Sequence, residues 1–250
     1  MASKLDIKRA YRRRLRLESA GDSDPYWENV SFLLSADGLE NGSQAIEDLS
    51  DGGAALTIAD VSVDTSVAAV SSGSFSFGDT TTRSIYRASG AVDWLKKDED
   101  WTIECFLRQN ALTAHPIAGA WDWTTDSTGR SWVVYVDSSG KVTYYVTASN
   151  TTAAFIASSI ACDTIDVFNH IVVQNNSDSI EIYVDGTLVN TPAPIGATPQ
   201  TPGTPTFVVG GTHNEPTNGA NGYMDQLRIT KGVARYSDGY TVPTAPFPTQ

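Results

Sequence analysis

FNHIVVQNNSDSIEIYVDGTLV, Phe168 to Val189, is the stretch whose reading decides the fold. Two short alternating runs, His170–Gln174 and Ser179–Val184, flank a cluster of Asn, Ser and Asp, which is the pattern of a β-hairpin. Ile180, Ile182 and Val184 share one face of the second run, and Glu181 and Tyr183 share the other. Asp185-Gly186 then supplies a tight turn, because both residues tolerate the backbone angles that such turns need. The ribbon therefore has one apolar face that must be buried. The remaining chain offers mainly further strands, so the surface covering it is expected to be a second sheet.

Working outward, Trp101–Arg108 is the strongest early strand, with Trp101, Ile103, Cys105 and Leu107 on one face and Thr102, Glu104, Phe106 and Arg108 on the other. Trp132–Val136 and Val142–Val146 form a second hairpin across Asp137–Gly140. Strands are also read at Val30–Ser35, Ala55–Ile58, Ser74–Gly78, Ser84–Arg87, Pro116–Trp121, Ala153–Ile160, Phe207–Gly210 and Tyr223–Thr230. Ala59–Thr65 is divided between strand and loop, and Val92–Leu95 between a helical turn and a sheet edge. Ala193–Pro205, rich in Pro, Gly and Thr, reads as an exposed loop. Val233–Gln250, with Pro243, Pro246 and Pro248, is expected to run extended across the domain surface. The pattern predicts eleven to fourteen strands, and no long helix after residue 21.

At 250 residues with 40% hydrophobic side chains, the chain can bury a full core as one β-domain. Its net charge of −12 argues against general binding of nucleic acid or anionic membrane by the main domain. No apolar run is long enough for a membrane helix, and the basic N-terminus lacks the apolar core of a signal peptide. Cys105 and Cys162 each sit in or beside an apolar run and read as separate buried thiols rather than a disulfide.

The charge is unevenly placed. Residues 1–21 carry seven basic and two acidic side chains, net +5, which leaves −17 on the rest. Ile7, Ala10, Tyr11, Leu15 and Leu17 fall within roughly 160° of a helical wheel. Ser3 or Asp6 is placed to cap such a helix and Gly21 to stop it. This reads as a basic helical arm followed by a linker. Two main readings of the arm stand: it docks on a partner protein through Lys4, Ile7, Lys8, Arg9, Tyr11, Arg12, Arg13, Arg14, Leu15 and Arg16, or it packs on the acidic domain of its own chain; nucleic-acid contact is a weaker alternative, and membrane-surface binding weaker still because the apolar face is thin and lacks Trp.

Four segments occur in an order that carries a resemblance: TIECFLRQ (Thr102–Gln109), FNHIVV (Phe168–Val173), EIYVDGTLV (Glu181–Val189), and VVGG through GYMDQLRIT (Val208–Thr230). Together they resemble the concanavalin A-like lectin/glucanase superfamily, in its laminin-G-like branch. The opening DPYWENVSFLLSADG (Asp24–Gly38) and the closing DQLRITKGVARYSDGYTVPTAPFP (Asp225–Pro248) resemble such domains in bacteriophage structural proteins. The resemblance implies an all-β, two-sheet antiparallel jelly-roll sandwich, here with a short N-terminal helical arm. The expected organisation is an arm and linker over 1–24, the sandwich over 25–240 and a proline-rich tail over 241–250. Phe168 departs from the family, whose members commonly carry Trp there, but keeps a large aromatic at the strand start.

Enzymatic members of the superfamily place paired acids at alternate strand positions, a spacing suited to two carboxyl groups about 5 Å apart across a cleft. Nothing in this chain matches it, and Asp98-Glu99-Asp100 is consecutive, so the sequence reads as a non-enzyme. Sugar binding needs an aromatic platform with a few oriented polar groups. Trp121, Asp122, Trp123 and Asp126 offer one, with the tryptophans expected to be partly exposed by their polar loop, and a purely structural role for these aromatics is the competing reading. No cofactor is required by any motif. Asp37, Asn218, Asn221 and Asp225 are the candidate ligands of a calcium ion, with Asp225 alternatively accepting backbone hydrogen bonds near the Gly222 turn. His170 is expected to interact within or beside its own hairpin.

Two functions follow from the resemblance. One is a bacteriophage virion structural or decoration protein, in the virion and, during assembly, the host cytoplasm. Its partners would be other virion proteins of the capsid or tail and further copies of itself. The alternative is a glycan-binding adhesion module of a tail or fibre that contacts the host surface.

Overall fold

The computed structural model describes residues 23–78, 83–87, 95–121, 130–147, 153–194, 199, 206–211 and 219–250. Among them lie fifteen strands and one turn of 3-10 helix, Trp27–Asn29. The strands are β1 (Val30–Leu34), β2 (Thr57–Ala59), β3 (Ser62–Asp64), β4 (Ser74–Gly78), β5 (Ser84–Arg87), β6 (Trp101–Gln109), β7 (His115–Trp121) and β8 (Arg130–Val136). They continue with β9 (Lys141–Thr147), β10 (Ala153–Ala161), β11 (Phe168–Asn175), β12 (Ile180–Val184), β13 (Thr187–Leu188), β14 (Phe207–Val209) and β15 (Gly222–Lys231). The count exceeds the expected range by one because the Asp185-Gly186 turn closes onto a two-residue strand, β13. Ser62–Asp64 resolves as strand, and the expected Ala55–Ile58 strand lies instead at Thr57–Ala59. The expected N-terminal helical arm falls on residues outside those described, as do Val92–Trp94. No α-helix occurs among the described residues.

All pairings are antiparallel and form two sheets. The first runs β13-β12-β11-β6-β15-β4-β3, with β1 also paired to β15; the second runs β10-β9-β8-β7-β14-β5-β2. β15 is long enough to hold two neighbours on one edge. Its first residues pair with β4 and its last with β1. At the changeover Gln226 takes a φ of 60°, and the register with β6 slips between Asp225 and Leu227, as a bulge requires.

Period-two alternation places the core. Trp101, Ile103, Cys105 and Leu107 of β6 face Trp132, Val134, Val136, Tyr144 and Val146 of the second sheet within one buried cluster. Aromatic contacts join the sheets directly: Trp101 to Tyr144 at 5.3 Å between ring centroids, and Phe32 to Phe207 at 4.9 Å in an edge-on approach. Cys105 and Cys162 are both free and buried. Burial pushes the Cys162 thiol up to about 12, so neither it nor the more deeply buried Cys105, shifted the same way, is a reactive thiolate.

Gly210 ends β14 at a φ of +71°, and a Cβ there would lie 2.0 Å from the ring of Phe77, which is fully buried. Gly38 has nearly the same backbone, φ +69°, but open space around it. Gly210→Ala should therefore lower unfolding free energy by about 3 kcal/mol or more, and Gly38→Ala by only about 1. Urea denaturation of the two variants separates steric from purely conformational cost, and equal losses would refute the assignment.

Candidate functional site

Each sheet has an outer face, and the two differ. On the first sheet, register sets outward side chains in three rows. Thr230, Thr102, Gln174 and Glu181 form one; Arg228, Glu104, Val172 and Tyr183 the next; Asp225, Phe106 and His170 the third. This face is not open to solvent. The segment Val233–Gln250 crosses it, and the start of the domain at Asp24 closes it.

Beneath that cover lies a chain of ionisable groups. Glu104 Oε1 accepts from Arg228 Nε at 2.8 Å. Arg228 also donates to Asp24 Oδ2 at 2.8 Å. Arg235 donates to both Asp24 oxygens, at 3.0 and 2.8 Å, the two-point geometry that suits a guanidinium to a carboxylate. The other Glu104 oxygen accepts from the Tyr236 hydroxyl and lies 3.4 Å from His170 Nε2, an ion-pair approach rather than a hydrogen bond. His170 Nδ1 and the Tyr240 hydroxyl are 2.6 Å apart. The side chains of Asp24, Glu104, Arg228 and Arg235 are each no more than 7% exposed. Two carboxylates and two guanidiniums thus neutralise one another inside the protein. Asp24, which the sequence reading puts in a linker, is an integral part of the domain. His170 reaches beyond its hairpin to β6 and the tail, although its own backbone N–H does donate to Asp185.

Phe106, Phe247, Val30 and Leu33 form a small second core under the tail, with Phe168 packed against it. Phe168 thus keeps the anchoring role expected of a large aromatic at that position. The Arg228 guanidinium sits 4.2 Å from the Phe247 ring centroid.

The outer face of the second sheet carries aromatics instead. Gly119, Val133 and Tyr145 share one row, and Pro116, Tyr135 and Thr143 the next. Tyr135 meets Tyr145 edge-on at 6.0 Å, and Trp121 lies 6.2 Å from Tyr145. Arg130 lies over the Trp121 ring at 5.6 Å. Trp121 is only 5% exposed, not partly exposed as its polar loop suggested, because Tyr145 and Arg130 pack against it. Tyr135 and Tyr145 are half-buried. Tyr135 escaped the sequence reading, yet its parity opposite to Trp132 and Val134 in RSWVVYV marks it as outward. Asp122, Trp123 and Asp126 lie outside the described residues. Trp132 and Tyr144 belong to the core.

Of the candidate calcium ligands, Asp37 and Asp225 are both engaged by backbone N–H groups. Asp225 is buried and its Oδ2 accepts the N–H groups of Ala69, Val70 and Ser71, a loop distant from the expected Gly222 turn. Asp37 is exposed and accepts from Ser72 N–H at 3.1 Å. Both aspartates therefore hold one loop by its backbone. The Asn221 carbonyl accepts from Asn110 N–H, and Asn218 lies outside the described residues. Among the described residues no group of three or more His, Cys, Asp or Glu is arranged to hold a metal. No described helix is long and apolar enough to cross a membrane. The arm residues Lys4, Ile7, Lys8, Arg9, Tyr11, Arg12, Arg13, Arg14, Leu15 and Arg16 fall outside the described region.

Comparison with known proteins matches residues 78–235 to a laminin-G family model described as the concanavalin A-like lectin/glucanases superfamily. No curated protein sequence matches. Among solved structures, the receptor-binding domain of botulinum neurotoxin C/D mosaic serotype is similar at 13% identity and a TM-score of 0.57, over 82% of this chain and 48% of that one. The binding domain of Paraclostridial Mosquitocidal Protein 1 is similar at 15% identity and a TM-score of 0.55, over 83% and 48%. A botulinum neurotoxin type C structure, for which cell entry is described as dependent on interaction with two ganglioside molecules, is similar at 14% identity and 0.58, over 86% and 50%. The chain spans about half the length of these structures, and at such identities the likeness is one of fold.

Burial alone would raise the Glu104 carboxyl, but the charge of Arg228 above all, with the adjoining His170 ring and Arg235 adding to it, outweighs burial and holds the group at about 2 against an ordinary value of 4.5. A depressed carboxylate stabilises the fold above its unfolded value. That contribution should be complete above about 4.5 and lost as pH falls towards about 2. Glu104→Gln should cost about 3–5 kcal/mol near neutral pH by stranding Arg228, and should flatten the stability profile between these pH values. Urea midpoints measured from pH 2 to 7 on both proteins check this, and parallel profiles would show that Glu104 is not the titrating group.

Proposed function

The chain belongs to the concanavalin A-like lectin/glucanases superfamily, and from that footing we propose that it is a non-enzymatic, glycan-recognising module displayed on a bacteriophage particle. One observation carries the glycan reading. Of the two outer sheet faces, the first is filled by the chain's own tail, while the second presents the half-buried Tyr135 and Tyr145, backed by the buried Trp121 with Arg130 over its ring. Aromatic rings stack on the apolar faces of sugar rings, and a nearby guanidinium supplies directed donors to hydroxyl or carboxylate oxygens. Asp122, Trp123 and Asp126, which follow Trp121 in the sequence, are proposed as further members of the site. The ganglioside dependence described for the type C neurotoxin supports glycan as the ligand class. Glu104, the best placed acid on the other face, is neutralised by Arg228 and sealed beneath Tyr236, which supports binding rather than hydrolysis.

The setting rests on the two phage-like segments, Asp24–Gly38 and Asp225–Pro248. In this reading the protein is a structural or decoration component of the virion. The basic arm is the anchor, other capsid or tail proteins and further copies are the partners, and residues 25–240 are the displayed domain.

Glycan-array binding with and without calcium tests the first part. Tyr145→Ala should reduce binding about tenfold or more while leaving the melting temperature within a few degrees. No binding under either condition removes the adhesive function. Deleting residues 1–20 tests the second. It should leave the melting temperature nearly unchanged and abolish incorporation into particles, and reversing Arg12, Arg13 and Arg14 should weaken docking in a salt-dependent way. A truncated protein that melts and incorporates normally rejects the anchor, whereas a large loss of stability assigns the arm to its own domain.

A further inference from the structure

We propose that the outer face of the first sheet is a peptide-binding groove, and that the C-terminal segment Val233–Gln250 of a second copy exchanges with the chain's own segment there. The way the segment is held is that of a bound peptide. It forms no strand; instead, side chains rising from the sheet read its backbone. Thr102 Oγ1 donates to the Val233 carbonyl at 2.9 Å and accepts from Arg235 N–H at 3.0 Å. The Gln174 amide makes a two-point contact with a single residue, accepting from Tyr236 N–H at 3.1 Å and donating to its carbonyl at 2.8 Å. Gln226 Oε1 accepts from Phe247 N–H at 2.6 Å. Where the segment reaches the far edge, Gly239 N–H donates to the Gly186 carbonyl and Leu188 N–H to Asp238.

Its side chains fill sites built by the sheet. The Tyr236 and Tyr240 rings lie 4.2 Å apart, tilted against each other, and each meets the His170 ring edge-on. Phe247 lies beneath Arg228 and near Phe106, and Arg235 clasps Asp24. Backbone clamps give affinity for an extended chain, and pockets give specificity for its sequence. These pockets fit two tyrosines, an arginine and a phenylalanine at the spacing this segment has, so the occupant they select is this segment, from either copy.

The connection permits the exchange. The chain enters the groove through Gly232, at a φ of +78°, where an added Cβ would meet only the Asn29 amide nitrogen at 3.3 Å. Exchange of an identical element preserves every contact within the groove, so occupation by the chain's own segment or a neighbour's differs only in the Lys231–Val233 connection and in effective concentration. Crowding copies together favours the exchanged form, which links them without any new interface.

The test inserts a protease site after Gly232 in the full chain and cuts the folded protein. The released segment should stay bound through gel filtration, and a fluorescent peptide of residues 233–250 should displace it. The same peptide carrying Tyr236→Ala and Tyr240→Ala should compete at least about tenfold more weakly, as should the original peptide against a Gln174→Ala domain. Two differently tagged uncut chains, unfolded and refolded together at high concentration, should give mixed-tag dimers. A cut segment that no peptide replaces overturns the proposal. So does loss of the fold on cutting, since the segment would then be an inseparable part of the core. Refolding that yields only single-tag monomers overturns the exchange.

Discussion

The buried chain of charge from Glu104 through Arg228 and Asp24 to Arg235 is the constraint on which the rest of the first sheet depends. Taking four ionised groups out of water costs several kcal/mol each, and only complete pairing offsets that cost. Each member comes from a different part of the chain: β6, β15, the start of the domain and the tail. Glu104 and Arg228 pair across adjacent strands, but the full chain of charge is complete only when all four segments are in place. Hydrophobic burial between the sheets supplies most of the stabilisation, but it would tolerate many placements of the two termini. The ion chain tolerates one. It also gives a physical role to the two end segments of the domain, Asp24–Gly38 and Asp225–Pro248. Asp24 stands at the head of the first, and Arg228 and Arg235 stand in the second. β1 also pairs with β15, and Asp24 N–H donates to the Gln250 carbonyl. The two segments are halves of one clasp.

Most of the strands were legible because they alternate. Trp101–Gln109 reads with period two, and every residue assigned inward lies in the main core. Both hairpins were legible from their turns, since Asp185-Gly186 and Asp137–Gly140 admit backbone angles that few other sequences allow. What alternation does not tell is the environment beyond the sheet. Glu104 and His170 have outward parity, and that parity is right, but outward here means under the tail rather than into water. The covering segment is separated from Glu104 by more than a hundred residues, and no local pattern links them. The burial of Trp121 is hidden for a related reason: a polar loop follows it, yet Tyr145 and Arg130, brought in by β9 and β8, pack against it. Asp225 accepts backbone hydrogen bonds, but from Ala69–Ser71 rather than beside the Gly222 turn, and those donors are reached only through the fold.

The bulge at Gln226 shows how one local irregularity organises distant parts. The slip between Asp225 and Leu227 lies in the ladder with β6, and at the same point along β15 the opposite edge passes from β4 to β1. It also frees two adjacent polar side chains for work outside the ladder. Asp225 holds the loop at Ala69–Ser71, while Gln226 reaches Ser35, Ser71 and the backbone of Phe247. A glycine would adopt this positive φ at lower cost, but it could make none of these contacts.

The asymmetry between the sheets follows from the same economy of surface. An antiparallel sandwich has two outer faces, and each must be solvated, covered or used. On the first sheet the outward rows mix Phe106, His170 and Tyr183 with Glu104 and Arg228, a set too apolar and too strongly paired to stand in water. The tail resolves this by supplying Tyr236, Tyr240 and Phe247 to the apolar members and Arg235 to the charge chain. The second sheet keeps half-buried tyrosines, Tyr135 and Tyr145, on its outer face. The two outer faces are thus settled in different ways, one under the protein's own chain and the other by aromatic side chains packed on one another.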